Sequence, residues 1–335
     1  MRYFSMFSGV GGFEVGIEEA FGHMGIEPTN PESRQAESGI QFGGKCPIVE
    51  EERGICPHEL GGRGPICIGY SEIDRYACSI YRRHFPEHKN FGDATRLNPR
   101  DLPDFDLLVG GFPCQAFSIA GKRAGFMDAR GTLFFEIARV LEHKRPRYFL
   151  LENVEGLLSH DDRKTIVAII RVLADLGYRV SWQVLNTKDY GLPQNRERIF
   201  IAGHSRGERG PEVFPIAETG ICNFTGGGLM EITQGQSQGF RVYDPSGLAT
   251  SIASQAGGLG AKTGLYALKN TSIRRLTPRE CCRLQGFPGD WCDWGIDDKG
   301  NKITISDTQK YRCLGNAVST NVIARIISGW KELAS

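Results

Sequence analysis

Phe105-Asp106-Leu107-Leu108-Val109-Gly110-Gly111-Phe112-Pro113-Cys114-Gln115 is the stretch on which the reading of the chain turns. The apolar run through Val109 predicts a buried strand, and the two glycines end it. Pro113 fixes its own φ and has no N–H for a ladder, so the chain must leave the sheet there. Cys114 is thereby expected at the carboxyl end of a parallel strand, where open α/β sheets hold their ligands. A thiol on a stiff loop at that edge is a candidate nucleophile. Taken alone it reads more readily as a small buried hydrophobe. Its neighbours in the chain decide between the two.

Working back from it, Tyr3 to Phe7 predicts a strand, followed by Ser8-Gly9-Val10-Gly11-Gly12-Phe13 and a helix through about Phe21. Glycines at a strand-to-helix turn let the backbone approach a ligand closely, although the dinucleotide spacing, with a third glycine three residues on, is missing. The next strand, Ile66 to Glu72, ends in an acid able to hold ribose hydroxyls. Glu72 lies 60 residues beyond Gly12, against about 20 in a simple unit. Residues 22–65 account for the excess. Rich in Gly, Pro and Glu and without apolar periodicity, they read as an inserted loop. The insertion carries Cys46, Cys56 and His58, with Cys67 just beyond. No Cys-x-x-Cys pair is among them, so they are expected to be scattered free thiols and no metal site is assigned. Asp74 to Phe85 has helical spacing, and Phe91-Gly92-Asp93 reads as the end of a short third strand. Asp93 there suits an adenine amino group or, as well, a simple cap.

Working forward, Leu133 to His143 is helical, and Tyr148 to Leu151 is a fifth strand ending in Glu152-Asn153-Val154. Asp161 to Leu176 predicts an amphipathic helix. Tyr178 to Leu185 and Ile199 to Ala202 predict strands, separated by Gln194-Asn195-Arg196-Glu197-Arg198. Alternating strands and helices make the first two-thirds a doubly wound α/β domain, 1–206. From about 207 to 270 glycine replaces helical pattern, predicting a small, mostly β or irregular domain. Residues 271–335 restart order with Thr277 and Pro278 at a helix start and would complete the first domain.

At 335 residues, 40% hydrophobic and 24% charged, the composition is that of a globular protein with ample core. A net charge of +1 neither favours nor excludes nucleic acid, since a basic face can be balanced elsewhere. Ten cysteines without disulfide-framework spacing, no signal peptide and no membrane-length apolar run predict free thiols in reducing cytoplasm.

Phe7-Ser8-Gly9-Val10-Gly11-Gly12, Pro113-Cys114-Gln115, Glu152-Asn153-Val154, Gln194-Asn195-Arg196-Glu197-Arg198 and the Arg274 and Asn316 segments follow one another in a single order. That series resembles the DNA cytosine-5 methyltransferase family of bacterial and phage restriction-modification systems. The resemblance covers nearly all of the chain outside residues 22–65 and 207–270. It implies a Rossmann-like S-adenosylmethionine-dependent methyltransferase domain with a small target-recognition domain at 207–270. It implies Cys114 as nucleophile toward C6 of a flipped-out cytosine, Glu152 as the group protonating N3, and Arg198, with Arg196 nearby, contacting O2 or organising the loop. S-adenosylmethionine would meet Phe7, Ser8, Gly9, Val10, Gly11 and Gly12. Glu72 would hold its ribose, Asp93 its adenine and Asn316 its distal end, with Ile73, Ala94, Pro113, Leu133 and Val318 also binding it. Double-stranded DNA is the implied partner, a monomer the implied state, and a restriction endonuclease acting on the same site the implied companion. Within the family a tRNA-directed enzyme stays open, since neither Glu-Asn-Val nor Pro-Cys separates DNA from RNA. A nicotinamide-dependent oxidoreductase shares the glycine turn and the ribose acid but has no use for Pro-Cys-Gln.

Overall fold

A computed structural model describes residues 1–22, 64–113, 133–207, 214, 216, 228–233, 236, 240–254, 264–267 and 272–331. Strand β1 (Arg2–Met6) leads through the glycine turn into α1 (Gly12–Ala20), and β2 (Ile66–Ser71) leads into α2 (Arg75–His84). Next come β3 (Leu107–Gly111), α3 (Leu133–Lys144), β4 (Tyr148–Val154), α4 (Lys164–Asp175) and β5 (Tyr178–Asn186). The two-residue β6 (Gln194–Asn195) and the long β7 (Glu197–Ser205) close the first part of the chain. Six of these strands form one sheet, ordered β2-β1-β3-β4-β7-β5, with β7 antiparallel to both its neighbours and the other pairs parallel.

A largely parallel sheet must be covered on both faces, and the strands supply two apolar faces by alternation. Tyr3, Leu107, Val109, Tyr148 and Leu150 pack with Phe13 and Ile17 of α1 on one side. Phe4, Met6, Leu108, Phe149 and Leu151 pack with Phe134 and Ile137 of α3 and Ile169 of α4 on the other. The doubly wound, Rossmann-like expectation therefore describes the molecule. The Cys114 strand is the third in the chain, however, not the fourth. Around Phe91 a single parallel bridge joins Tyr70 and Asn90 in place of a strand. Asn90 explains it. Its side-chain oxygen accepts from the Gly92 N–H at 2.8 Å and its amide donates to Glu72 O at 3.2 Å, offering the backbone an alternative to a ladder. The helix expected from Asp161 begins instead at Lys164, because Asp161, Asp162 and Arg163 all take positive φ.

The second part of the chain holds β8 (Val242–Tyr243), β9 (Ala249–Thr250), β10 (Leu265–Ala267) and β11 (Ile273–Arg274), all short. Helix α5 (Pro278–Leu284) starts with a capping box between Thr277 and Glu280, and Pro278 sits at its first turn. The hairpin β12 (Trp294–Ile296) and β13 (Lys302–Thr304) rests on α2, and α6 (Asp307–Asn316) and α7 (Thr320–Lys331) follow. α7 returns to the sheet, where Ile323 closes on α1 at Gly16. From the region expected to be a small domain, Tyr243, Ala249, Ile252 and Tyr266 pack in one cluster with Cys281, Leu284 and Leu314. Trp291 belongs to it too, stacked 3.4 Å from the His84 ring and donating to Val10 O at 3.0 Å. Among the described residues no helix is long and apolar enough to cross a membrane.

Candidate active site

The carboxyl ends of β1, β2, β3 and β4 open onto a cavity of about 470 Å³. Its wall begins where β1 stops. Phe7 takes a φ of 56°, uncommon for a side chain of its size, and its N–H donates to Ser71 O at 2.8 Å. Gly9 and Gly11 continue the turn at φ 56° and 92°, which the missing Cβ permits. Phe7 and Gly9 line the cavity; Ser8, Val10, Gly11, Gly12 and Val318 stand behind it. Ser8 Oγ donates back to Ser5 O at 3.2 Å, and a Cβ on Gly12 would meet Val318 Cγ2 at 2.7 Å, so these residues shape the turn and back it.

Glu72 stands at the end of β2, half-buried, and its two oxygens already accept three backbone N–H groups. Oε2 takes Gly9 at 2.9 Å, and Oε1 takes Ile73 and Asp74 at 2.8 Å each. The carboxylate is thus a strut between the glycine turn and α2, with lone pairs left for a ligand. Ile73 beside it is 72% exposed, an apolar side chain on the cavity wall. Asp93 and Ala94 line the same wall. Asp93 Oδ1 accepts from Thr95 N and Oγ1 at 2.9 and 2.8 Å, and those bonds hold its carboxyl below the usual range. Asn316 enters from the end of α6. Arg312, one turn earlier, pairs with Asp74 at 3.1 Å across the rim. No local pattern announces that pair, since its partners lie far apart in the chain.

The floor is formed by β3 and β4. Their register sets Gly111 opposite Glu152, so closely that a Cβ on Gly111 would stand 3.3 Å from Glu152 Oε2. Glu152 is therefore held beside the backbone that enters Pro113-Cys114. Asn153 ties the same two strands, donating to Phe112 O at 2.9 Å and accepting the Val154 N–H at 2.8 Å. Pro113 and Leu133 line the cavity on either side of residues 114–132. Cys114, Cys46, Cys56 and His58 lie outside the described residues. Cys67 is half-buried, its thiol donating to Gly69 O at 3.4 Å.

Arg198 Nε lies 3.1 Å from Glu152 Oε1. Glu152 is buried at the cavity floor, and burial raises its pKa by more than Arg198 and Arg196 pull it back. A carboxyl in this state holds a proton to higher pH than an exposed glutamate would. Arg196 reaches the cavity wall but its guanidinium faces protein. Nη1 donates to Ile252 O at 3.0 Å and Ser251 Oγ at 3.4 Å; Nη2 donates to Gly315 O at 3.2 Å and Ala317 O at 2.7 Å. It braces backbone, whereas Arg198 attends the carboxyl.

Two carboxylates beside an exposed isoleucine and an aromatic wall suit a ligand with hydroxyls and a flat ring. The buried acid at the floor, next to the cysteine loop, suits proton donation to a second reactant. A family model described as "C-5 cytosine-specific DNA methylase" matches residues 54–224 and 222–332 of this chain. Among similar proteins is the Type II methyltransferase M.NgoBI of Neisseria gonorrhoeae, 40% identical over 280 residues, covering 76% of this chain and 82% of the relative. M.HhaI of Haemophilus parahaemolyticus is 36% identical over 296 residues, covering 78% and 86%. Among solved structures, DNMT2 of Spodoptera frugiperda superposes with a TM-score of 0.66 at 17% identity, over 98% of this chain and 99% of the other. Dnmt2 of S. pombe gives 0.64 at 19%, over 100% and 99%. At such identities the structural likeness speaks to the fold alone.

Proposed function

The chain belongs to the C-5 cytosine-specific DNA methylases, and from that premise we propose that it methylates C5 of a flipped-out cytosine in a specific double-stranded DNA sequence. Cytosine C5 is a poor nucleophile while the ring stays aromatic. Attack of the Cys114 thiolate on C6 forms an S–C6 bond and moves the C5–C6 electron pair toward N3, making C5 nucleophilic. Glu152 supplies the proton N3 then needs, and its raised pKa holds that proton to higher pH than an exposed glutamate would. Arg198, bound to Glu152, offers its remaining donors to the base O2, where negative charge develops. When bound, S-adenosylmethionine supplies an electrophilic methyl group. Glu72 would hold its ribose hydroxyls, Ile73 and Phe7 would pack its adenine, and Asp93 would accept from the adenine amino group. Loss of the C5 proton to solvent then restores the C5–C6 double bond and expels the thiolate, and the N3 proton returns to the Glu152 carboxylate. The base must leave the duplex for its C6 to be reached, and residues 207–270 would choose which base does. A host carrying a nuclease for the same site would be protected by the modification.

The observation that carries this reading is the register of Gly111 with Glu152, which sets a buried acid beside the entry to Pro113-Cys114. Bisulfite sequencing of DNA from cells expressing the protein should show one modified sequence context; unmodified DNA would defeat the proposal. A duplex with fluorine at C5 of that cytosine cannot lose a proton there. It should trap the protein as a denaturation-resistant adduct, and peptide mapping should return the Pro113-Cys114-Gln115 fragment.

A further inference from the structure

Arg196 is 2% exposed, and the four hydrogen bonds of its guanidinium divide evenly between two segments distant in sequence. One is Ser251 and Ile252, just past β9 and inside the glycine-rich region. The other is Gly315 and Ala317, the residues on either side of Asn316. The two segments also touch directly. A Cβ on Gly315 would stand 2.2 Å from Ser254 N and 2.4 Å from Ala253 C, so backbone lies against backbone with no room between. Gln194 braces the same junction, accepting from the Ile252 N–H at 3.2 Å and donating to Leu284 O at 2.7 Å. Gln285 extends it, donating to Leu314 O at 2.9 Å. A close-packed junction transmits displacement because it has no void to absorb it.

We propose that Arg196 is a positioning residue that joins the DNA-recognition segment to the cofactor wall at Asn316, so that DNA and cofactor each tighten the binding of the other. The inference rests on the assignment of the cavity to S-adenosylmethionine and of residues 207–270 to DNA. DNA that holds segment 251–254 in place holds 315–317 through the guanidinium, and Asn316 is presented to the cofactor already ordered. The cofactor orders the recognition strand by the same bonds. Coupling of this kind is reciprocal in binding free energy and amounts typically to about 5–150-fold. Lysine keeps the charge, but a single ammonium cannot span four acceptors on two segments.

The test measures S-adenosylhomocysteine binding to the full chain by calorimetry, alone and with a saturating duplex bearing the cytosine found by bisulfite sequencing. In the unaltered protein the duplex should lower the dissociation constant. In Arg196→Lys that ratio should fall toward one, with melting still cooperative. An equal ratio in the folded variant overturns the proposal, as does no effect of the duplex on the unaltered protein. Failure of the unaltered protein to bind S-adenosylhomocysteine at all would instead overturn the cofactor assignment, and this inference with it. Should Arg196→Lys not fold, hydrogen exchange on the unaltered chain decides. S-adenosylhomocysteine alone should slow exchange of the Ile252 amide, and unchanged exchange there overturns the coupling.

Discussion

Glu152 illustrates how one residue acquires a property its sequence neighbours do not reveal. Glu-Asn-Val marks it as interesting; only the pairing of β3 with β4 encloses it and raises its pKa. As the proposed proton donor it must be protonated to act, so turnover should decline as pH rises through that elevated pKa. Glu152→Gln keeps the shape without the proton. It should lower turnover by about 10²–10⁴-fold and flatten the alkaline limb of the pH–rate profile, while adduct with the fluorinated duplex still forms slowly. An unchanged alkaline limb would assign that limb to another group. Glu72→Ala removes the acceptor of three backbone N–H groups as well as a ligand contact. Ribose hydroxyls left without their acceptor cost about 1–3 kcal/mol, which should appear as a raised dissociation constant for S-adenosylhomocysteine. Unchanged binding would move the ribose site elsewhere. Its place at a strand end was legible in sequence. Its work as a strut was not, because the Gly9 amide reaches it from across the insertion.

At the scale of an element, α1 carries a cost that no motif advertises. Glu14 is fully buried, and among the described residues neither carboxyl oxygen has a hydrogen-bond partner. Burial raises its pKa to about 7, more than Ser5, the backbone and Tyr81 pull it back. The folded chain therefore binds this proton more tightly than the unfolded chain, whose glutamate titrates near 4.5. Stability is unaffected below pH 4.5, falls as pH rises from there to 7, and stays lower above. The loss at pH 8 is roughly 3 kcal/mol by linkage. Glu14→Gln should abolish that part of the decline, raising the urea midpoint at pH 8 much more than at pH 5; equal shifts at both would refute it. Helical periodicity marks α1 in the sequence, but the period does not say that position 14 faces inward. Element boundaries elsewhere followed local chemistry: Asn90 replaced a strand by side-chain hydrogen bonds, and the capping box at Thr277 was readable because both of its partners lie within one turn.

Taken whole, the described residues build one six-stranded sheet with helices on both faces, and alternation of strand and helix made most of it legible. The antiparallel course of β7 was not, because hydropathy carries no direction. Nor was the shared core of the second part, since Tyr243 and Tyr266 sit among glycines that read as irregular. Replacing residues 23–63 by a short linker should leave folding and methyl transfer intact, because a shorter loop costs less to close. Loss of S-adenosylhomocysteine binding in that protein would reveal a wall of the cavity. A recognition segment transplanted from a relative should carry its target sequence with it only if Tyr243, Ala249, Ile252 and Tyr266 are retained, as they complete the core against α5 and α6. A folded chimera that still modifies the original sequence would refute the assignment of specificity. Finally, the indole of Trp291 is fastened to the turn that would receive the cofactor and lies flat on an imidazole. The chain therefore contains its own optical reporter. Of its four tryptophans, Trp182 is the most exposed, at 47%; once it is replaced by phenylalanine, a change in emission on titrating S-adenosylhomocysteine would follow loading of the turn without any added dye.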